Sequence, residues 1–343
     1  MATRMWVLSI DGGGIRGIIP AMVLMHLEAL AGRKTAEIFD VIAGSSTGGI
    51  MAMLLAVRGP DGKPRYSAAD VLTLYTVHGK DLFSSPPEWA AEWAKGQTIP
   101  KYPAESVTRV LETFFGDATL ADAVTDVFVT AYDIERRVPQ FFSRPRRDVP
   151  PSWNLHLNFY MRDVGQATSA FPGLLPPAGI RSVDGGRVFR LIDGGIVGAN
   201  PIALMLASDA VASSKADELV MVSLGTGYHE TPIPWAEAKD WGMAQWNKTG
   251  QLMDVLFDGS SHGASTIVQS PWVRVPWWFR FQLALPAEYA GTDTVTPANI
   301  EALQKAAAAA IAGEGPVSDT PAFYDNWPQL FTGITALLGG GTR

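Results

Sequence analysis

With 343 residues, 47% of them hydrophobic and 18% charged, the chain has material for one large α/β domain or two modest ones around a sizeable core. A formal charge of -7, with no lysine-arginine tract, excludes a broad nucleic-acid surface. The lack of cysteine excludes disulfide frameworks, thiolate metal sites and a cysteine nucleophile, and leaves the redox compartment open.

Trp6-Val7-Leu8-Ser9-Ile10 reads as a short buried strand leading into the glycine loop Asp11-Gly12-Gly13-Gly14-Ile15-Arg16-Gly17. Asp11 and the glycines interrupt any signal-peptide core, and no apolar run of about eighteen residues is seen. The expectation is therefore a cytosolic protein without a membrane span, with signal-independent secretion left open. A helical pattern follows the loop (Ile19, Met22, Leu24, Met25, Leu27, Leu30), with Pro20 in its first turn and Gly32 as its stop. The loop thus sits at a helix N-terminus, where unpaired backbone N–H groups gather.

Val41, Ile42 and Ala43 form an apolar run that ends at Gly44-Ser45-Ser46-Thr47-Gly48, and a second apolar helix starts near Ile50. That pentapeptide fits G-x-S-x-G between strand and helix. It is the pattern of a nucleophile elbow, with the Ser46 hydroxyl lifted above the sheet edge. Gly44 and Gly48 would let strand and helix approach closely enough to force the turn.

Further along, a helix is expected over 67–80 and an irregular excursion over 84–104. Strands are expected at 126–131 and around Gln140-Phe141-Phe142, and a helix ends at Ala167-Thr168-Ser169-Ala170-Phe171-Pro172. The strand Val188 to Ile192 delivers Asp193-Gly194-Gly195, a helix is expected over 201–211, and the strand Leu219 to Leu224 ends in Gly225-Thr226-Gly227. Thr296 as N-cap, Pro297 and an alanine run stopped by Gly313 mark a late helix. Strands alternating with helices predict a mainly parallel sheet covered on both faces.

Three loops that follow strands would then meet at the carboxyl end of the sheet, where open α/β sheets place their ligands. Ser46 would attack an acyl carbon, Asp193 would take its proton, and the Gly12, Gly13 and Gly14 N–H groups would hold the oxyanion. Asp11 is expected to fix the loop by hydrogen bonds. Arg16 is a candidate for an anionic headgroup or for loop support.

Rivals remain at this level. Gly12-x-Gly14-x-x-Gly17 also fits a dinucleotide fingerprint, but the next strand ends in Gly44-Ser45-Ser46 rather than in an acidic residue. A serine-histidine-acid triad would have to draw on His26, His78, His156, His229 or His262, of which His229 is best placed and His262 second.

The ordered motifs resemble those of the patatin-like phospholipases. The resemblance runs from D-G-G-G-x-R-G at Asp11 to Gly17 and the elbow at Gly44 to Gly48, through Ala167 to Pro172 and D-G-G at Asp193 to Gly195. It continues through Gly198-Ala199-Asn200-Pro201, Ser223 to Gly227 and Asp254 to Ser261. The segment Gly198-Ala199-Asn200-Pro201 departs slightly from the usual A-N-N-P, a change expected to be harmless.

The resemblance covers about residues 5–312, leaves 313–343 unassigned, and implies one catalytic domain over 1–343. It implies a three-layer α/β/α sandwich of the patatin and cytosolic phospholipase A2 catalytic-core type. It also implies a Ser46-Asp193 dyad acting without histidine, metal or cofactor on acyl esters of phospholipids or galactolipids. A storage or binding protein of the same fold is the alternative, and a nucleotide-binding module a third.

On the lipid reading, Trp89, Trp93, Trp272, Trp277, Trp278, Phe279 and Phe281 are candidates for an acyl channel or a lipid interface. Arg136, Arg137, Arg144, Arg146 and Arg147 are candidates for phosphate contacts, so peripheral membrane contact is an expectation; nucleic acid is not. The oligomeric state is not legible.

Overall fold

The computed structural model describes residues 2–145, 157–206, 211, 214–229, 232–248, 251–273, 275–314 and 327–339. Strand β1 (Arg4–Ile10) runs through its centre with side chains alternating between two cores. Trp6, Leu8 and Ile10 join the larger core, whereas Met5 and Val7 join the smaller. Strands β2 (Val41–Ser45), β3 (Asp126–Asp133), β7 (Glu218–Leu224) and β8 (Trp277–Phe281) extend this parallel register on either side. The near-continuous apolar character of β1, β2 and β7 follows from burial on both faces.

Strands β4 (Val138–Ser143), β5 (Ala178–Arg181) and β6 (Val188–Ile192) are antiparallel additions beyond β3. The resulting order is β5-β6-β3-β2-β1-β7-β8, with β4 also against β3.

Helices Ile18–Ala31, Thr47–Ala56, Ala68–Thr76, Ala104–Phe115, Met161–Ser169 and Pro297–Ile311 cover the larger core. Ile202–Leu206 and Gln251–Gln269 supply Ile202, Met205, Ala264 and Val268 to the other face. The sheet between two helical layers is the three-layer arrangement expected from the alternating sequence.

Local signals fared according to how local they were. Gly32 ends its helix in the left-handed conformation at φ 62°, and the Thr296 hydroxyl accepts the Asn299 N–H at 3.1 Å. The helix expected over 67–80 breaks into Ala68–Thr76 and Gly79–Leu82. The excursion after residue 84 contains the helix Pro87–Ala94, which buries none of its side chains and so carries little apolar signal. The helix expected over 201–211 is seen as Ile202–Leu206, and its remainder lies largely outside the described residues, as does His156. In the unassigned tail, helix Trp327–Gly339 packs on β8 and on helix Ile18–Ala31, with Phe331 edge-on to His26 at 4.6 Å.

One expectation needs correction. The segment Gly14–Ala31 is long and apolar enough to cross a membrane by length and composition, with a mean hydropathy of 1.4. Its apolarity has a structural cause: Ile15, Ile18, Ile19, Val23 and Leu24 are fully buried in the larger core, against helices Ala68–Thr76 and Pro297–Ile311.

The elbow glycines are set by close approach. A Cβ on Gly44 would overlap the Gly48 carbonyl, and one on Gly48 would overlap the Ile10 carbonyl. Gly48→Ala should therefore lower stability by about 1–3 kcal/mol. In urea unfolding, the midpoint should fall while the m-value stays unchanged.

Candidate active site

Ser46 stands between β2 and helix Thr47–Ala56 at φ 55°, ψ -125°, a region that L-residues avoid. Such a conformation costs of order 1–3 kcal/mol and persists only where its surroundings fix it. Thr168 does so: its hydroxyl accepts the Ser46 N–H at 2.9 Å, and its carbonyl accepts the Gly194 N–H at 2.9 Å. The Asp193 N–H donates in turn to the Ala170 carbonyl at 3.0 Å. The segment around Thr168 therefore holds the serine turn and the aspartate turn together.

That clamp brings the Ser46 hydroxyl to 2.7 Å from Asp193 Oδ2. Asp193 Oδ1 accepts the Gly195 N–H at 2.6 Å, so both carboxylate oxygens are engaged. The carboxylate is 1% exposed. Burial pushes it up from 3.8 to about 7, against the Gly195 and Ser46 hydrogen bonds, which pull it down. Gly194 is required by space, since a Cβ there would overlap the Thr130 carbonyl.

The glycine loop differs from expectation at one residue. The Gly12 N–H donates to the Ala199 carbonyl at 3.1 Å and is not available to a substrate. The Gly13 and Gly14 N–H groups have no acceptor among the described residues, so only these two remain of the three expected donors. Gly14 is at φ 58°, and a Cβ on it would overlap the Thr292 carbonyl. That carbonyl accepts the Ile15 N–H at 2.8 Å, while Gly17 lies tightly under the Tyr75 ring. These contacts pack the far end of the loop against Thr292 and Tyr75.

Asp11 fixes the loop, as expected, but through a partner the sequence did not offer. Its two carboxylate oxygens meet Arg280 Nη1 at 2.9 Å and Nη2 at 2.6 Å, with both side chains buried. Burial raises the Asp11 carboxyl, and the Arg280 guanidinium opposes that rise. Arg280 Nη1 also donates to Ser223 Oγ at 2.6 Å. Just past β8, the side-chain Oε1 of Gln282 accepts the Gly227 N–H at 2.7 Å. The Thr226 hydroxyl then donates to the Gly12 carbonyl at 2.6 Å. The alternation Arg280-x-Gln282 in an aromatic strand was the available signal: two polar side chains on one buried face require partners.

Arg16 lines the same cavity, with its guanidinium lowered to about 10 by burial and held up by Asp258, Asp11 and Asp254. Its buried Nε has no hydrogen-bond partner among the described residues. His229 also lines the cavity, but its Nδ1 pairs with the Leu285 carbonyl at 3.1 Å. His26 packs on Phe331 and His78 on Phe114, and His262 lies on helix Gln251–Gln269. The side chain hydrogen-bonded to the Ser46 hydroxyl is the Asp193 carboxylate.

The cavity has a volume of about 630 Å³, within the usual range for small-ligand sites. Ser46, Asp193, Gly12, Gly13 and Gly14 open into it, and its apolar wall includes Leu74, Phe83, Val107, Phe171, Leu175 and Phe257. None of the tryptophans and phenylalanines named as candidates for an acyl channel or a lipid interface lines this cavity. Phe279 and Phe281 are core residues of β8, Trp89 donates to the Pro100 carbonyl at 2.8 Å, and Trp272 is 90% exposed.

Two measurements check this arrangement. Arg280→Met leaves the Asp11 charge buried alone and should cost about 3–5 kcal/mol, whereas Asp11→Leu with Arg280→Met should recover part of that loss. Because the folded-state carboxyl of Asp193 sits at about 7 instead of 3.8, the native state binds this proton more tightly than the unfolded chain. Its contribution to stability therefore declines as pH rises through that window. Asp193→Asn should gain on wild type by about 2–4 kcal/mol between about pH 4 and pH 8 in paired denaturation curves.

Comparison with known proteins follows the same lines. A family profile described as patatin-like phospholipase matches residues 8–206, which carry the glycine loop, the elbow and the aspartate turn. Patatin-like protein 4 of Arabidopsis thaliana is 32% identical over 282 residues, covering 74% of this chain and 69% of that protein. Patatin-like protein 1 of the same plant is 29% identical over 332 residues, covering 87% and 79%. Patatin-13 of Solanum tuberosum is 28% identical over 355 residues, covering 95% and 88%. With its central sheet, its strained serine turn and its sequence all in agreement, the chain belongs to the patatin-like phospholipase family.

Proposed function

We propose that this protein is a lipid acyl hydrolase that cleaves carboxylic esters through a serine acyl-enzyme. The observation that carries the reading is the 2.7 Å hydrogen bond from the Ser46 hydroxyl to a carboxylate that burial has shifted to about 7. An ordinary aspartate is too weak a base to act near neutrality, and this one is tuned to the range where a general base works best.

In the first half-reaction Ser46 Oγ attacks the ester carbonyl as its proton passes to Asp193 Oδ2. The carbonyl oxygen becomes an oxyanion. In this reading the Gly13 and Gly14 N–H groups receive it, with the Thr47 N–H at the start of its helix as a further donor. Collapse of the tetrahedral adduct expels the alcohol portion of the lipid, which takes the proton back from Asp193. In the second half, water gives a proton to Asp193 and attacks the acyl-serine; as the adduct collapses, Ser46 Oγ leaves with that proton taken back from Asp193, and the fatty acid is released. The apolar wall around Phe171 and Phe257 suits an acyl chain. The bond cleaved is then an acyl ester of a phospholipid or galactolipid, as in a phospholipase A.

A fluorophosphonate probe tests the nucleophile. Labelling should vanish in Ser46→Ala and persist in His229→Ala and His262→Ala; undiminished labelling of Ser46→Ala would defeat the reading, and the storage or binding alternative would stand. For the base, kcat/KM on a short-chain p-nitrophenyl ester should rise tenfold per pH unit and level off near pH 7. Asp193→Asn should lose about 10³-fold or more while remaining folded.

A further inference from the structure

We infer that the two antiparallel hairpins beside the active site form a docking surface for an anionic lipid bilayer. The placement follows from register. Ser45 at the end of β2 pairs with Thr130 of β3, and β3 continues past that level to Asp133. Asp133 pairs with Leu191 of β6, and Arg181 of β5 pairs with Val188. Both turns, residues 134–137 and 182–187, therefore project from the carboxyl end of the parallel strands, the end that carries Ser46. Strand β6 leads directly from this projection down to Asp193, a span of about 16 Å over five residues.

The projection has the opposite charge to the rest of the chain. Residues 133–144 and 181–192 hold six arginines and three carboxylates, whereas the whole chain has a formal charge of -7. Asp133 is already committed to Arg136, whose Nη1 lies 2.6 Å from it. Among the described residues no carboxylate is within ion-pair distance of the exposed Arg137, Arg187 or Arg190. Between these cations stand three exposed aliphatic side chains, Ile134, Val138 and Val183, at 38%, 45% and 42% exposure. Cations with interspersed apolar tips suit an interface where headgroup phosphates and the acyl boundary meet. An extended polyanion such as RNA would gain from the cations, have no use for the tips, and be opposed by the chain's net charge of -7.

The inference rests on the lipid-hydrolase reading for its purpose, but binding can be measured apart from catalysis. The full chain carrying Ser46→Ala should co-sediment with phosphatidylcholine vesicles containing about one-third phosphatidylserine and be released as salt is raised. It should bind pure phosphatidylcholine vesicles far more weakly. Each arginine near such a surface contributes about fivefold to partition, so Arg137→Gln, Arg187→Gln and Arg190→Gln together should weaken binding about hundredfold. The corresponding triple lysine variant should keep it.

Hydrolysis of a soluble short-chain ester by the otherwise wild-type glutamine variant should be unchanged. Equal binding to both vesicle types, or full binding by the glutamine variant, would overturn the inference, as would tight binding of a short RNA without vesicle binding. Failure of the serine mechanism would instead show as undiminished probe labelling of Ser46→Ala with vesicle binding intact.

Discussion

Much of this molecule is arranged to keep one carboxylate dry and next to one hydroxyl. Desolvation moves Asp193 from an acid that would be ionised and weakly basic to one that exchanges its proton near neutrality. The hydrogen bonds from Ser46 and Gly195 limit the shift, because they stabilise the ionised form. The same burial destabilises the folded chain at neutral and higher pH. The site therefore persists because the surrounding sheet and the Thr168 clamp over-determine it.

A second buried polar feature supports the first from the far side of the sheet. Arg280 reaches from β8 across Ser223 of β7 to Asp11 at the end of β1, and Gln282 holds the turn at Gly227. A bidentate pair of this kind fixes direction as well as distance, which a lysine in the same place would not do. The glycine loop has little stiffness of its own, since its residues lack side chains that could pack. Its conformation is imposed by Arg280, by Thr226 on the Gly12 carbonyl and by the Thr292 carbonyl on Ile15.

The cavity and the hairpins divide the lipid problem between them. The cavity wall is largely apolar, with the half-buried Arg16 as its cation under the influence of Asp258, Asp11 and Asp254. The hairpins, by contrast, carry Arg137, Arg187 and Arg190, which have no carboxylate partner among the described residues, on a chain of formal charge -7. Local excess of one charge sign, and not the net charge, is what a membrane surface senses within a Debye length.

The amino-acid sequence by itself determined the elements whose signals are short-range. Periodic apolar residues, Gly32, Thr296 and Pro297 defined helices, and Gly44-x-Ser46-x-Gly48 defined the turn, because caps and tight turns depend on neighbours within a few residues. The conjunction of three loops at one sheet end was also legible, since alternating strands and helices leave few other topologies. Tertiary structure decided the rest. Arg280 lies 269 residues from Asp11, and no local pattern reports such a pairing. Nor could the spacing show that Ala199 takes the Gly12 N–H, or that Phe279 and Phe281 serve the core of β8 and not the cavity. Each of these depends on which chemically suitable partner the completed sheet brings within hydrogen-bonding or van der Waals reach, and that is a property of packing.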